Sequence, residues 1–177
     1  MACISKLANA IAYDCDSGAT GLVSAFIINK ADIESFVLSS PSATRVVSIT
    51  LTAAGKAYKI DAVKRSVTAS TALKVNDGAP NAYTHTVALT ITGIAGLAAL
   101  SQAFSNGNFV VVTKGPAGPC YVYGLYYGLS ATAYDRSSHD NGGWVAVTLE
   151  TPETVIGEDN LYMDAADYDA LYAAAVG

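Results

Sequence analysis

The sequence predicts a mainly β fold: a β-sandwich or open barrel with a long projecting hairpin and one or two short helices. First, residues 109–114 and 120–125, both rich in β-branched and aromatic side chains, flank a Gly/Pro turn. Second, the run from residue 120 is apolar on both alternating faces, which indicates a strand covered on two sides. Third, an alternating pattern over 63–75 resumes at 83–91 after the polar loop 76–81, which predicts a long antiparallel hairpin.

Ahead of the hairpin, the sequence divides into an arm and several short strands. Residues 1–20 are predicted to form an N-terminal arm, and residues 21–177 a single β-rich domain with a C-terminal helix. Asn29 is a candidate cap for a short turn over 30–34. The strands expected in this region are 22–28, 45–51 and 56–60.

Two helices are predicted after the hairpin. Residues 94–104 place Leu97, Leu100 and Phe104 on one stripe at helical spacing. Asp164 is the expected N-cap of a second helix over 164–172, since acidic residues fill its first turn, where the helix dipole favours them.

Between the helices the sequence predicts the central strands. The strand that begins at residue 120 is expected to alternate as far as residue 129, and the polar turn 137–143 is expected to lead into a last strand over 144–150. The side chains expected on one face of the first strand are Tyr121, Tyr123, Leu125, Tyr127 and Leu129.

The composition predicts that copies of the chain cover much of its surface. Hydrophobic residues make up 51% of the 177 residues and charged residues only 14%. Soluble domains carry about 25% charged residues, and a dispersed monomer keeps charge on its outside. We therefore expect self-association; the alternative is an alanine-rich, weakly charged but ordinary monomer.

The net charge of −5 is unevenly distributed. Residues 1–77 hold eight basic and six acidic residues, a net charge of +2, whereas residues 78–177 hold two basic and nine acidic residues, a net charge of −7. This balance argues against a protein that binds nucleic acid through its phosphates, but it permits one past which DNA slides. No apolar run is long enough to cross a membrane, and a signal peptide is not expected.

The titratable residues do not form a recognisable catalytic or metal-binding motif. His85 is interpreted as part of a polar strand face, and His139 as part of a turn beside Asp140, with no nucleophile at a recognisable spacing. Cys3, Cys15 and Cys120 form no CxxC pair, which favours structural thiols in a reducing compartment. The sequence therefore predicts neither an enzyme nor a cofactor or metal site.

The aromatic residues leave a second interpretation open. Eleven tyrosines are explained by core and subunit contacts. The alternative is a carbohydrate- or receptor-binding module that uses Tyr126, Tyr127, Tyr134 and Trp144.

The layout of the chain resembles the small β-rich virion structural proteins of tailed bacteriophages, and among them the tail-tube-type subunits. The segments that carry the resemblance are Cys15-Asp16-Ser17 with Gly21-Leu22, Tyr58-Lys59-Ile60, residues 83–91, the 97–104 helix, residues 109–114, Tyr121-Val122-Tyr123-Gly124 and Asp140-Asn141-Gly142-Gly143-Trp144. They share an arrangement with that family and contain no invariant motif.

The resemblance implies a non-enzymatic protein of the virion, made in the host cytoplasm. Its subunits would join their sheets into rings, usually of six, and the rings would stack around a DNA channel whose acidic excess repels phosphates. The hairpin 63–91 would bridge subunits, and the N-terminal arm would lie on a neighbour. Other virion proteins are further expected partners, and no membrane is expected.

A set of residues is expected to lie at the subunit interface: Val67, Ala69, Leu73, Asn76, Asp77, Tyr83, Tyr121, Tyr123, Tyr168, Leu171 and Tyr172. A tail terminator, a head–tail connector and a capsid decoration protein remain alternatives to the tube, because the acidic C-terminal segment departs from the simplest tube plan.

Overall fold

A computed structural model describes residues 22–40, 42–60, 66–91, 97–116, 120–136 and 145–175. The described part consists of two β-sheets with two helices, which confirms the predicted mainly β, sandwich-like class. The predicted arm 1–20, the polar turn 137–143 and Trp144 lie outside the described residues. None of the described helices is both long and apolar enough to span a bilayer.

The large sheet has seven strands in the order β2-β3-β11-β8-β7-β1-β4. Its neighbours pair antiparallel except for β11 and β3, which run parallel. The strands are β1 (Ser24–Asn29), β2 (Ile33–Leu38), β3 (Arg45–Leu51), β4 (Ala57–Ile60), β7 (Phe109–Lys114), β8 (Cys120–Tyr123) and β11 (Leu161–Met163).

The small sheet has four antiparallel strands in the order β5-β6-β10-β9. They are β5 (Val67–Lys74), β6 (Ala82–Ile91), β9 (Ser130–Arg136) and β10 (Val145–Glu150). The helices are α1 (Leu97–Asn106) and α2 (Ala165–Ala175), and a single 3-10 turn (Lys30–Asp32) follows β1.

The central strand β7 of the large sheet is buried on both faces because its side chains are mostly apolar on both. In β7, Val110 and Val112 join a cluster with Tyr168 of α2, which we call the helix-side cluster. Val111, between them, points the other way into the inter-sheet cluster, which includes Val147 of the small sheet.

The strand predicted to be covered on both sides is β8: its Val122 lies in the helix-side cluster and its Tyr123 in the inter-sheet cluster, whereas Tyr121 is exposed. The order of layers is α2, large sheet, small sheet.

The predicted alternation from residue 120 to 129 is wrong beyond Tyr123. β8 ends there, and Gly124 adopts a φ of +81°, a conformation that L side chains rarely adopt. A Cβ at Gly124 would lie 2.8 Å from Leu129 Cγ. The turn sends Leu125 into the helix-side cluster and Leu129 into the inter-sheet cluster, so these two leucines lie on opposite sides of the large sheet.

Three strands were not predicted, and each lacks a strong pattern. The expected turn over 30–34 ends at Asp32, and β2 follows it as an edge strand with two register irregularities. β9 is largely exposed, and β11 has only three residues. α2 begins directly after Asp164 as predicted, but the Asp164 carboxylate lies 2.6 Å from Arg45 Nη2 in an ion pair.

Candidate assembly surface at the hairpin tip

The β5–β6 hairpin extends beyond the strand that flanks it. β5 and β6 pair without a register shift from Val67↔Leu89 to Lys74↔Ala82. β10 covers only the last part of β6, from Thr86 onward. The stretch 71–85, which we call the hairpin tip, therefore projects past the flanking strand, as predicted for this hairpin.

The inner face of the hairpin stays apolar after it leaves the core. Val67 and Val87 are buried in the inter-sheet cluster. Farther along the same face, the cross-strand pair Leu73 and Tyr83 is 59% and 36% exposed. Val75 is 71% exposed. The apolar face thus continues beyond the part of the large sheet that covers it.

One edge of the tip is occupied by residues 151–159 of the same chain, which we call the strap. Tyr83 and Glu158 form a two-way backbone bridge, with both N–H···O distances 2.8 Å. Lys74 Nζ donates to the Val155 carbonyl at 2.8 Å, and Asn76 Nδ2 donates to the Ile156 carbonyl at 3.1 Å. The strap therefore pairs with β6 where β10 no longer reaches.

The other edge of the tip, formed by β5, is open in the described part of the chain, since β5 is an end strand of the small sheet. The Thr90 N–H donates to the Ser66 carbonyl at 2.7 Å. Because the register does not shift, every second residue from Ser66 onward, that is, each even-numbered residue of β5, forms backbone hydrogen bonds with β6. The backbone amides and carbonyls of the odd-numbered residues therefore point away from β6. Residues 67–73 contain no charged side chain and no proline, the devices that usually protect an edge strand.

His85 lies where the tip leaves the core, and it corrects the sequence interpretation. The sequence predicts a polar strand face for this residue, yet its side chain is completely buried. Nδ1 lies 3.1 Å from Thr71 Oγ1, and the ring packs edge-on against Tyr123 with a centroid distance of 5.4 Å. Burial lowers the pKa of His85, and the backbone carbonyl of Asp159 opposes that shift. Nε2 makes no well-aligned hydrogen bond to the described residues.

Glu158 is a second buried polar group at this junction. Its side-chain Oε1 accepts a hydrogen bond from the Tyr127 amide at 2.7 Å, and the residue is only 3% exposed. Burial raises the pKa of Glu158, while nearby backbone amides, first that of Tyr127, and the charge of Lys30 oppose the shift. Oε2 has no well-aligned partner among the described residues. Glu158 thus connects the strap to the turn that follows β8.

The structure distributes the predicted interface residues over three environments. Leu73, Asp77 and Tyr83 are exposed on the tip, where Asn76 also lies, and Tyr121 is exposed at the end of β8. Ala69 and Tyr172 are partly buried. The side chains buried inside the chain itself, which are unavailable to a partner in the folded subunit, are those of Val67, Tyr123, Tyr168 and Leu171.

Of the aromatic residues of the alternative binding module, Tyr126 and Tyr134 lie on opposite sides of the large sheet. Tyr126 packs edge-on against Phe36 at 5.5 Å on the helix side of the large sheet. Tyr134 packs against the inter-sheet cluster, and Tyr127 is 47% exposed. Trp144 is outside the described residues.

Other reactive groups are sparse in the described part of the chain. No group of three or more His, Cys, Asp or Glu side chains there is placed to hold a metal ion. Cys120 is a buried free thiol whose pKa is raised, chiefly by burial. Cys3 and Cys15 are outside the described residues.

Comparison with known proteins identifies no relative: no protein-family model, curated protein or solved structure matches the chain. The functional interpretation therefore depends on the geometry of the hairpin tip and on the composition.

The sequence did not predict two features of this site: the burial of His85 at the junction, and the contacts that the strap makes with the tip. For His85 a signal was present, because it occupies the same alternating positions as Val87 and Leu89, both of which are buried. For the strap there was none: its contacts to the tip are made largely by backbone carbonyls, which every residue carries.

Proposed function

We propose that this chain is a structural subunit that assembles with copies of itself through the hairpin tip, as the tail-tube subunit of a tailed bacteriophage. The observation that carries the proposal is the uncovered inner face of the tip beside the open edge of β5. Leu73, Val75 and Tyr83 expose apolar surface there, next to outward-pointing backbone groups that have no partner strand in the described part of the chain. An exposed apolar face and an open strand edge are both suited to being covered by another chain.

The topology of the small sheet supports a repeating assembly. Its two end strands in the described part of the chain are β5 and β9, which differ in sequence. If the β5 edge of one subunit pairs with the β9 edge of the next, the contact joins two different surfaces. Contacts of that kind generate closed rings or open filaments rather than dimers, as the resemblance to tail-tube subunits implies.

The outer face of the small sheet is suited to a surface past which DNA moves. Its side chains are mainly hydroxyl and methyl groups: Thr68, Ser70 and Ala72 on β5, Thr84, Thr86, Ala88 and Thr90 on β6, and Ala146 and Thr148 on β10. Lys74, the basic residue of β5, donates to the Val155 carbonyl. Such a face offers few cations to phosphates, so we expect no tight binding of duplex DNA at physiological salt.

A matched pair of surface variants tests the role of the tip. The double variant L73S/V75S removes apolar side chains from the tip, and V37S removes an exposed valine from β2, on the large sheet. Negative-stain microscopy of the purified full chain should reveal rings or tubes for the wild type and V37S, but not for L73S/V75S. Circular dichroism of each variant checks whether it is folded. Intact rings or tubes of folded L73S/V75S would exclude the tip as the joint.

A further inference from the structure

His85 joins three parts of the molecule at one buried position. Its Nδ1 lies 3.1 Å from Thr71 Oγ1 on β5, and its ring contacts Tyr123 on β8. Its backbone N–H donates to Thr151 Oγ1 at 2.9 Å, and its carbonyl accepts from the Thr151 N–H at 3.0 Å. One residue therefore links the hairpin, the large sheet and the start of the strap.

The C-terminal end of the strap, at Asp159, also lies beside His85. The backbone carbonyl of Asp159 interacts with the imidazole of His85, and the preceding residue, Glu158, pairs with Tyr83 through the backbone. Between these ends, the hydrogen bonds from Lys74 and Asn76 to strap carbonyls involve flexible side chains. The strap is thus held most firmly at its two ends, and both ends meet at His85.

We propose that the His85 junction is an acid-sensitive lock, in which the neutral imidazole holds the strap and the hairpin tip against the large sheet and protonation releases them. An imidazolium ion at this fully buried position would lose its hydration and have too few partners to replace it. Opening the junction returns the charged ring to water. The proposal concerns a motion within one subunit and does not depend on the proposed function.

Two of the titratable groups near His85 carry little or no charge in acid. Tyr123 on β8 is neutral there, and burial raises its pKa further. On the strap, Glu158 has a raised pKa, so it loses its negative charge more readily as the pH falls.

Beyond the ring, Lys74, Glu150 and Glu153 line, together with His85, an open cleft of about 450 Å³. The two carboxylates exceed the one ammonium group by one negative charge, and solvent in the open cleft screens this excess.

The sign of the effect follows from the direction of each pKa shift. The pKa of His85 is lowered from 6.5 in the folded protein, so the open form takes up a proton first and the closed form loses stability as the pH falls below 6.5. The pKa of Glu158 is raised, so its protonation on acidification favours the closed form and opposes part of this loss. Glu158 therefore opposes part of the effect of His85.

Hydrogen exchange of the full chain at pH 7 and pH 5.5, corrected for the intrinsic pH dependence of exchange, tests the lock. Protection of peptides covering 82–86 and 151–159 should fall by up to about eightfold, the factor by which a pKa of 6.5 in the open form alone shifts the opening equilibrium. Peptides from β7, which serve as the internal control, should keep the same protection against hydrogen exchange at both pH values. Unchanged protection of the strap between the two pH values would overturn the proposal.

Two histidine variants separate the lock from a general effect of acid. H85Q keeps a neutral side chain with hydrogen-bonding groups and should lose the pH response, whereas H139Q, at the only other histidine in the chain, should retain it. An equal response in H85Q and the wild type would contradict the proposal.

The wild-type protein provides an independent measurement should H85Q fail to fold. The chain has two histidines, so proton NMR can follow both rings. We expect the His85 ring to remain neutral until protection of the strap is lost. Titration of His85 near pH 6.5 with the strap still protected would refute the lock.

Discussion

The two halves of the β5–β6 hairpin have the same alternating pattern but opposite environments. In the proximal half, Val67, Val87 and Leu89 face the large sheet and are buried. In the distal half, Leu73 and Tyr83 occupy the same face of the same strands and are exposed. The alternation sets which side chains share a face, but the extent of the covering sheet decides which of them are buried. An apolar face that continues past its cover is therefore the part of the hairpin most suited to a partner.

The largest expected difference between the halves is in stability. We expect L89A to lower the free energy of unfolding by about 2–5 kcal/mol, because it leaves a cavity in the inter-sheet cluster. L73A should change it by less than about 0.5 kcal/mol, because the side chain is exposed in the subunit. Urea unfolding under conditions that keep both variants dissociated measures both. A large loss in L73A would mean that the tip is covered within the subunit itself.

The boundary between the halves is tested by a smaller change. T71V should lower the free energy of unfolding by about 1 kcal/mol, because it removes the hydroxyl that bonds His85 Nδ1 and leaves a buried nitrogen without that partner. T68V makes the same substitution on the exposed outer face of β5 and serves as the control. If urea unfolding gives equal midpoints for the two variants, the hydrogen bond between Thr71 and His85 contributes nothing measurable.

The strap should add a weak dependence of stability on pH. Burial raises the pKa of Glu158 from 4.5, so the folded state pays for the ionised carboxylate above that pKa and is relieved of the cost as the pH falls. E158Q has no charge to titrate. The stability of the wild type relative to E158Q should therefore decrease as the pH rises from 4.5 toward neutrality. Parallel stability curves for the two proteins would show that the buried carboxylate is not destabilised.

The sequence predicted those parts of the fold whose pattern is local and strong. β7 and the two strands of the hairpin were recognisable because four or more β-branched or aromatic residues follow one another, or because polar and apolar residues alternate. β2, β9 and β11 were not, because β2 has register irregularities, β9 is largely exposed and β11 has three residues. The end of β8 depends on the positive φ of Gly124. A glycine can adopt a positive φ but need not, so its presence in the sequence did not predict where the strand ends.

Prediction of the candidate site was partial for a related reason. The hairpin follows from alternation and length. Its tip residues Leu73 and Tyr83 were expected at the interface, and both are exposed in the subunit. The burial of Val67 and Tyr123 depends instead on how far the two sheets overlap, which no local pattern records. The contact between His85 and the strap joins residues 66 positions apart in the chain, and the side chain of Thr151 carries no signal for it.

The most direct test of the proposed assembly is sedimentation velocity of the wild type and A69P over a range of concentrations. Ala69 is an odd-numbered residue of β5, so its N–H points outward and proline there removes no bond to β6 while blocking the edge. We expect particles much larger than the 18.2 kDa subunit for the wild type and a folded single subunit for A69P, with circular dichroism as the test of folding. A wild type that sediments as one subunit at every concentration, or folded A69P that assembles equally well, would contradict it.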